Sequence, residues 1–322
     1  LKAIVSNKYG SAEDLELKEV EKPIPQDNQV LVKIHAASLN YGNLVLLKGK
    51  PFLARFAFGL LRPKYPIPGG DIAGTIEAVG RDIKKMKAGD EVFGDLSGCG
   101  WGGFAEYVSV PEHVLALKPV NSTFEQAAAV PMAGVTAIQG LRNKGKIQSG
   151  QKVLINGASG GVGLAAVQIA KSYGAEVTGV CSTRNIDILR SSGADHVIDY
   201  TKEDFTQKPQ RYDLILGVNG YQPISAYKRA LSPNGIYVMI GGSGAQLTQA
   251  MVFGPWTSLF GSKKMGNMLQ RPNQEDLLYL SDLLKDGQLK PTIDRCYTLS
   301  EVPEAFRYFD GGHARGKVVI TM

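Results

Sequence analysis

With 322 residues of ordinary globular composition, the chain is long enough to bury two sizeable cores, so two domains are expected. Its 36 basic and 30 acidic residues leave a formal net charge of +6 without any long basic run, which implies no nucleic-acid partner but is compatible with anionic small ligands. No stretch approaches the ~18 to 20 uninterrupted apolar residues of a membrane span, and the opening LKAIVSNKYG does not resemble a signal peptide, so a cytoplasmic protein is expected.

From residue 1 to about 120 the chain reads as short strands at Lys2 to Val5, Leu15 to Val20, Gln29 to Ala36, Asp71 to Val79, Glu91 to Gly94 and Phe104 to Val110. Turns such as Pro23-Ile24-Pro25, Pro66-Ile67-Pro68-Gly69-Gly70 and Ala88-Gly89-Asp90 punctuate them, and strands at this spacing predict a barrel-like β domain. One interval differs. Leu39 to Lys64 holds Asn40, Tyr41, Asn43, a helical LVLLKG and the apolar, basic-flanked PFLARFAFGLLRPK. Either this is a surface helix packing Phe52, Phe56, Phe58 and Leu60 into local core, or it is a flap over a ligand or a membrane-touching patch. Cys99, Cys181 and Cys296 are odd in number and far apart, which fits neither a disulfide framework nor a zinc ribbon and reads as three reduced thiols.

At Ser122 the pattern turns helical. Ser122-x-x-Glu125 reads as a capping box ahead of Ala127, Ala128, Val130, Ala133, Ala137 and Leu141, and a domain boundary is placed there. Lys152 to Val180 then spells a strand, a glycine turn, an amphipathic helix and a second strand. The turn Ala158-x-Gly160-x-x-Gly163 lets backbone approach a pyrophosphate at Gly160 and lets the helix pack on the sheet at Gly163, with the helix N-terminus facing the anion. Further strands at Val197-Ile198, Leu214 to Leu216, Ile236 to Ile240 and Lys263 to Met268 alternate with helical stretches, which predicts a doubly wound parallel sheet. Gln274 to Lys285 is a last amphipathic helix. Thr292 to Tyr297, a short helix near Val302 to Tyr308 and Lys317 to Thr321 then resume the β-rich character, so the tail is expected to rejoin the first domain. The expected domains are 1–122, 123–268, and a return segment 269–322 that completes the first.

In NAD-binding sheets of this kind an acidic residue ends the second strand, about 20 residues after the glycines. Here that place reads Cys181-Ser182-Thr183-Arg184-Asn185; no carboxylate lies between Glu176 and Asp187, whereas two hydroxyls and an arginine suit a 2′-phosphate. NADPH is therefore the expected cofactor. As plainer roles, Ser182 and Thr183 cap a helix and Arg184 is solvated, which is compatible with phosphate binding. The string Gly157-x-x-x-Gly161-x-Gly163 also fits a short-chain dehydrogenase turn, but the fingerprint then lies too far from the N-terminus, and none of the 13 tyrosines has a lysine four residues on.

The stretches SLNYGN, PGGDIAGTIEAVG, AGDEVFG, GGFAEYVSV, AAAVPMAGVTA, NGASGGVG and GHARGKVVI follow in this order over essentially the whole chain. Together they resemble a zinc-free medium-chain dehydrogenase/reductase of the quinone oxidoreductase-like group. The resemblance implies an α/β protein: an N-terminal GroES-like β-barrel domain, a Rossmann domain with its doubly wound parallel sheet, a cleft between them and often a homodimer. Zinc enzymes of the family use a cysteine in the first-domain loop and a Gly-His-Glu sequence, where this chain has Asn40 and Gly69-Gly70-Asp71; the four-cysteine structural zinc lobe is also missing. His35, His113, His196 and His313 have no paired ligand spacing, so no metal is expected.

Without a Lewis acid, alcohol oxidation loses its driving apparatus, whereas hydride addition to a quinone or an enone needs only neutral donors near the oxygen that gains charge. The expected activity is NADPH-dependent reduction of a quinone or an α,β-unsaturated carbonyl. The rivals are zinc-free reduction of simple aldehydes or ketones and a non-enzymatic NADPH-binding protein. By resemblance, Asn40 lies beside the nicotinamide, with Tyr41 as a second donor, and Thr136 lies near its ribose or the phosphates. Ser159, Gly160, Gly161 and Val162 take the pyrophosphate, Ser182 and Arg184 the 2′-phosphate, and Tyr200 the adenine ribose. Gly241 and Gly242 lie under the nicotinamide, and His313, Ala314 and Arg315 form a closing tail loop. For Asn40 the competing role is a tie within its own loop. Many relatives carry an aspartate at Asn43, so no carboxylate role transfers there.

Overall fold

The computed structural model describes residues 1–242, 249 and 261–322. The chain divides into two compact units: Leu1–Ala133 with Arg271–Gly287 and Pro291–Met322, and Gly134–Gln270 with Gln288–Lys290. In chain order the first unit contributes β1 (Lys2–Val5), β2 (Glu16–Glu19), β3 (Gln29–Ser38), β4 (Asp71–Val79), β5 (Glu91–Asp95), β6 (Tyr107–Pro111) and β7 (Leu115–Leu117). The second contributes β8 (Lys152–Asn156), β9 (Glu176–Cys181), β10 (His196–Asp199), β11 (Tyr212–Gly217), β12 (Leu231–Met239) and β13 (Lys264–Asn267). The chain then returns to the first unit with β14 (Ile293–Thr298) and β15 (Lys317–Thr321).

The first unit's main sheet runs β14-β15-β3-β4-β5-β7, with β6 also on β3 and the β1-β2 pair apart. Irregularities in the β3-β4 register, at Leu31/Val32 and Ile34/Ala36, mark the bends at which such a sheet curls around a core. That core holds Val32, Ile34, Ile72, Val92, Phe104 and Phe306, the two phenylalanines meeting edge to face at 6.0 Å. Two expectations shift. Phe104 to Val110 is not one strand: the Ile4 N–H bonds to Phe104 and the Glu106 N–H to Lys2 across β1, and β6 begins only at Tyr107. The helix Phe124–Ala128 is capped not by Ser122 but by Thr123, whose hydroxyl accepts from the Gln126 N–H at 3.2 Å while Gln126 Oε1 accepts from the Thr123 N–H. This helix packs on β3 and β4, so the first unit extends to Ala133, past the boundary expected at 122.

In the second unit the six strands among the described residues are all parallel, in the order β10-β9-β8-β11-β12-β13. β8 and β11 are the centre, and Val153, Leu154, Ile155, Leu214, Ile215 and Leu216 are fully buried, as strands covered on both faces must be. The chain reverses its direction of winding between β8 and β11, which places the topological switch point at the carboxyl ends of those two strands. The Gln288–Lys290 stretch belongs to this unit because the Gln168 side chain accepts from the Lys290 N–H and donates to its carbonyl, which interrupts the return segment expected as one piece.

Candidate functional site

At the end of β8 the backbone turns through Gly157 and enters the helix Gly161–Ser172. Gly157 has φ +83°, and a Cβ there would stand 2.6 Å from the Asn219 nitrogen; at Gly163 a Cβ would stand 2.4 Å from the Gly157 oxygen. Both glycines are therefore dictated by packing. Gly160 is different: its φ of −84° suits any residue, and a Cβ built on it meets nothing within 4 Å. Open space lies where the chain comes closest to the helix N-terminus. Ser159, Gly160, Gly161 and Val162 are all partly exposed around it, while the helix behind them is buried from Gly163 to Ala170.

The end of β9 reaches the same place through a residue that motif reading missed. The buried Asn185 amide donates to Ser159 Oγ at 3.0 Å and Ser182 Oγ at 3.3 Å, so both hydroxyls act as acceptors toward Asn185 and keep their own hydrogens for an outside acceptor. Asn185 Oδ1 is buried without a partner. These groups fit an anionic dinucleotide: two hydroxyl donors, backbone N–H groups at a helix start, and empty volume beside a glycine. Arg184 is exposed beside Ser182.

A second missed residue is Asp199, at the end of β10 and opposite Cys181 in register. It accepts from the Thr183 and Thr201 hydroxyls and the Thr201 N–H, with Lys202 Nζ at 3.7 Å. The Thr183 hydroxyl above all, then those of Thr201 and its N–H, hold the carboxyl down at about 2 against its burial. This carboxylate lies on the neighbouring strand, outside the Cys181–Asn185 stretch in which the sequence pattern places such an acid. Tyr200 next to it is exposed.

Gly241 and Gly242 follow β12 at the same carboxyl edge, where a Cβ on Gly241 would stand 2.4 Å from the Val218 oxygen and Gly242 has φ +126°. Thr136, in the second unit, is buried on the helix Pro131–Ile138.

Asn40 caps the helix Tyr41–Lys48 in the first unit, and its N–H bonds to Asn43 Oδ1 at 2.8 Å. Its side chain is held at both ends: Nδ2 donates to Asp71 Oδ2 at 2.8 Å, and Oδ1 accepts from Lys317 Nζ at 2.5 Å. Asp71 also accepts from the Ser38 hydroxyl and the Met132 N–H, and Lys317 Nζ stands 3.4 Å from it. Asp71 is 0% and Lys317 4% exposed. Burial pushes the Asp71 carboxyl up, opposed by the Lys317 ammonium and then by its hydrogen bonds; burial pushes the Lys317 ammonium down, opposed by Asp71. The Asn40 side chain is thus held by two charged side chains from β4 and β15, while its backbone N–H and carbonyl also tie the local turn through Asn43. A lysine at the head of an otherwise apolar strand, GKVVI, was the available signal. Tyr41 is exposed. His313, Ala314 and Arg315 form the loop before β15, anchored where the Arg315 N–H bonds to Asp294.

Among the described residues no three His, Cys, Asp or Glu side chains converge on a possible metal position. Both Asp71 oxygens are engaged, and Gly70 and Asn40 flank them, so this donor set does not fit a divalent cation. His35 pairs with Thr75 and His196 with Glu176. All three cysteines are free, and burial pushes the Cys99 and Cys181 thiols up to about 11.

Residues 26–120 match the alcohol dehydrogenase GroES-like domain family, and residues 192–320 match the zinc-binding dehydrogenase family. The chain is 36% identical to the chloroplast envelope quinone oxidoreductase homolog of Arabidopsis thaliana, covering 99% of this chain and 97% of the relative. It is 34% identical to the NADPH-dependent alkenal/one oxidoreductase of the same plant, over 99% of this chain and 79% of that one. The quinone oxidoreductase structure from Coxiella burnetii superposes with a TM-score of 0.88 at 30% identity, covering 100% and 99% of the two chains. By fold, fingerprint and relatives, the chain belongs to the quinone oxidoreductase-like group of the medium-chain dehydrogenase/reductase enzymes.

Proposed function

We propose that the protein reduces a quinone or an α,β-unsaturated carbonyl with NADPH and without zinc. The observation that carries the reading is the open cradle at Gly160, bordered by Ser159 and Ser182 with their hydrogens free to donate, at the switch point of an all-parallel sheet. Ser159 to Val162 would hold the pyrophosphate, Ser182 and Arg184 the 2′-phosphate, Tyr200 the adenine ribose, and Thr136, Gly241 and Gly242 the nicotinamide side. The relatives' names, quinone oxidoreductase and NADPH-dependent alkenal/one oxidoreductase, support the substrate class and the cofactor. His313, Ala314 and Arg315 are assigned to closing over the cofactor, and a homodimer is the proposed assembly.

NADPH, when bound, supplies the hydride. The chain's own task is to hold the acceptor and to donate hydrogen bonds where negative charge collects on its oxygen. An asparagine amide nitrogen carries two hydrogens, and Asp71 takes one from Asn40. We assign the other, with the Tyr41 hydroxyl, to the carbonyl oxygen. Lys317 and Asp71 fix the amide's orientation, so the donor needs no reorganisation during reaction.

The test is single-turnover oxidation of NADPH and NADH against a quinone, an enone and an aldehyde. The quinone or the enone should win. Turnover confined to the aldehyde would support carbonyl reduction, and cofactor binding with no turnover would support a binding protein. In the same assay Arg184→Ala should weaken NADPH by roughly 1.5 to 3 kcal/mol and leave NADH nearly unchanged. Equal weakening of both would make Arg184 structural.

A further inference from the structure

The stretch between the helix Tyr41–Lys48 and β4 is fastened on one side and apolar on the other. Arg55 donates to the Gly49 oxygen and lies 4.4 Å from the Tyr9 ring, the Tyr9 hydroxyl donates to Gly59, and Phe58 meets Trp101 edge to face at 6.1 Å. These contacts hold its inner side in the first unit. The outer side presents Phe52, Leu53, Phe56, Leu60 and Leu61, with Phe56 72% and Leu61 89% exposed. Five large exposed apolar side chains in ten residues form a patch rather than a scatter. The core-packing alternative for Phe52, Phe56 and Leu60 is thereby corrected; Phe52 and Phe56 meet each other edge to face at 6.2 Å, whereas Phe58 meets Trp101.

Charge identifies what this patch meets. Residues 29–70 contain six basic residues and no acidic one, so they account for the whole net charge of +6, and the remainder of the chain balances. Lys50, Arg62 and Lys64 are exposed at the two ends of the apolar run. A second copy of this chain meeting the patch about a two-fold axis would bring like charges together. A neutral quinone or enone would leave the basic residues without a counterpart. An anionic lipid surface matches both features, apolar side chains entering the acyl boundary and ammonium and guanidinium groups meeting headgroup phosphates. No described helix is long and apolar enough to cross a membrane, so the mode is lying on the surface, not spanning it.

We propose that residues 50–64 dock the protein on anionic lipid bilayers. Binding is read without turnover, so the proposal and the assigned reductase activity fail independently. In vesicle co-sedimentation the protein should bind phosphatidylcholine vesicles containing phosphatidylserine, bind pure phosphatidylcholine weakly, and release in high salt. Arg62→Gln/Lys64→Gln should lower the partition coefficient roughly 25-fold, about fivefold per basic residue. Phe56→Ser/Leu61→Ser should lower it at least about tenfold. All four side chains are exposed, so the variants should keep the parent's melting transition. Absent or lipid-independent binding overturns the proposal. So does Phe56→Ser/Leu61→Ser converting a dimer to a monomer, which makes a second copy the occupant, or raising KM for an enone with unchanged vesicle binding, which makes the segment a substrate flap.

Discussion

A lysine opening a buried strand is tolerated only if its charge is met, and Lys317 meets Asp71 and Asn40. Because both charges are fully enclosed, removing one should cost more than the pair contributes. Lys317→Met is expected to destabilise the protein by about 3 to 5 kcal/mol, with Asp71→Asn/Lys317→Met recovering most of the loss because no buried charge is then left alone. Urea unfolding of the two variants decides it; a double variant as unstable as the single would show that the residues serve packing alone. Asp199 gives a pH-dependent counterpart. Its folded pKa of about 2 lies below the unfolded value of about 3.9, so the native state binds fewer protons. The resulting stability is present above about pH 4 and is lost as pH falls toward 2. Asp199→Asn should flatten that limb of a plot of unfolding midpoint against pH, and a limb superimposable on the parent's would remove Asp199 as its source.

At the scale of elements, the glycine turn separates two demands that the fingerprint merges. Gly160→Ala should leave stability unchanged, because nothing lies within 4 Å of the new methyl, yet block the cradle and weaken NADPH at least about tenfold. Gly163→Ala should do the reverse, destabilising by about 1 to 3 kcal/mol as its methyl meets the Gly157 oxygen and Ala158. Melting curves paired with NADPH titrations measure both; destabilisation by Gly160→Ala would mean that Gly160 is a packing glycine like its neighbours. The turn and the strands beside it were legible because short-range rules govern them: apolar runs bounded by glycine, and a helix of fixed period. β15 and the helix Gln274–Lys285 matched their expected limits for the same reason. What could not be read was pairing over long sequence distances. Asp71 with Lys317, Asp199 with Thr183, and Asn185 with Ser159 are joined only by the fold, and no local pattern records such partners. β7, three residues long, is too short for any periodicity to show.

For the whole molecule, one unit draws its sheet from both ends of the chain, whereas the other builds its sheet from one continuous stretch. β15 lies between β14 and β3, pairing Val319 with Ser38 and Thr321 with Ala36, and its Val318, Val319 and Ile320 are fully buried. Residues near the start of the chain therefore wait for the last ones before their sheet is complete, and Asp71 has no countercharge until Lys317 arrives. The parallel sheet of β8 to β13 needs nothing from beyond its own stretch to pair all six strands. A fragment of residues 131–270 should consequently melt cooperatively and bind NADPH, whereas a fragment of residues 1–130 should show no cooperative transition, since it lacks β14, β15 and the buried lysine. Thermal circular dichroism of the two fragments distinguishes the cases. If residues 1–130 melt cooperatively, β3 and β4 hold the first unit together without the return segment, and the buried pair is dispensable for folding. If instead only the longer-range pairing completes the unit, adding residues 271–322 in trans should restore the transition, because the missing strands and the missing charge come back together.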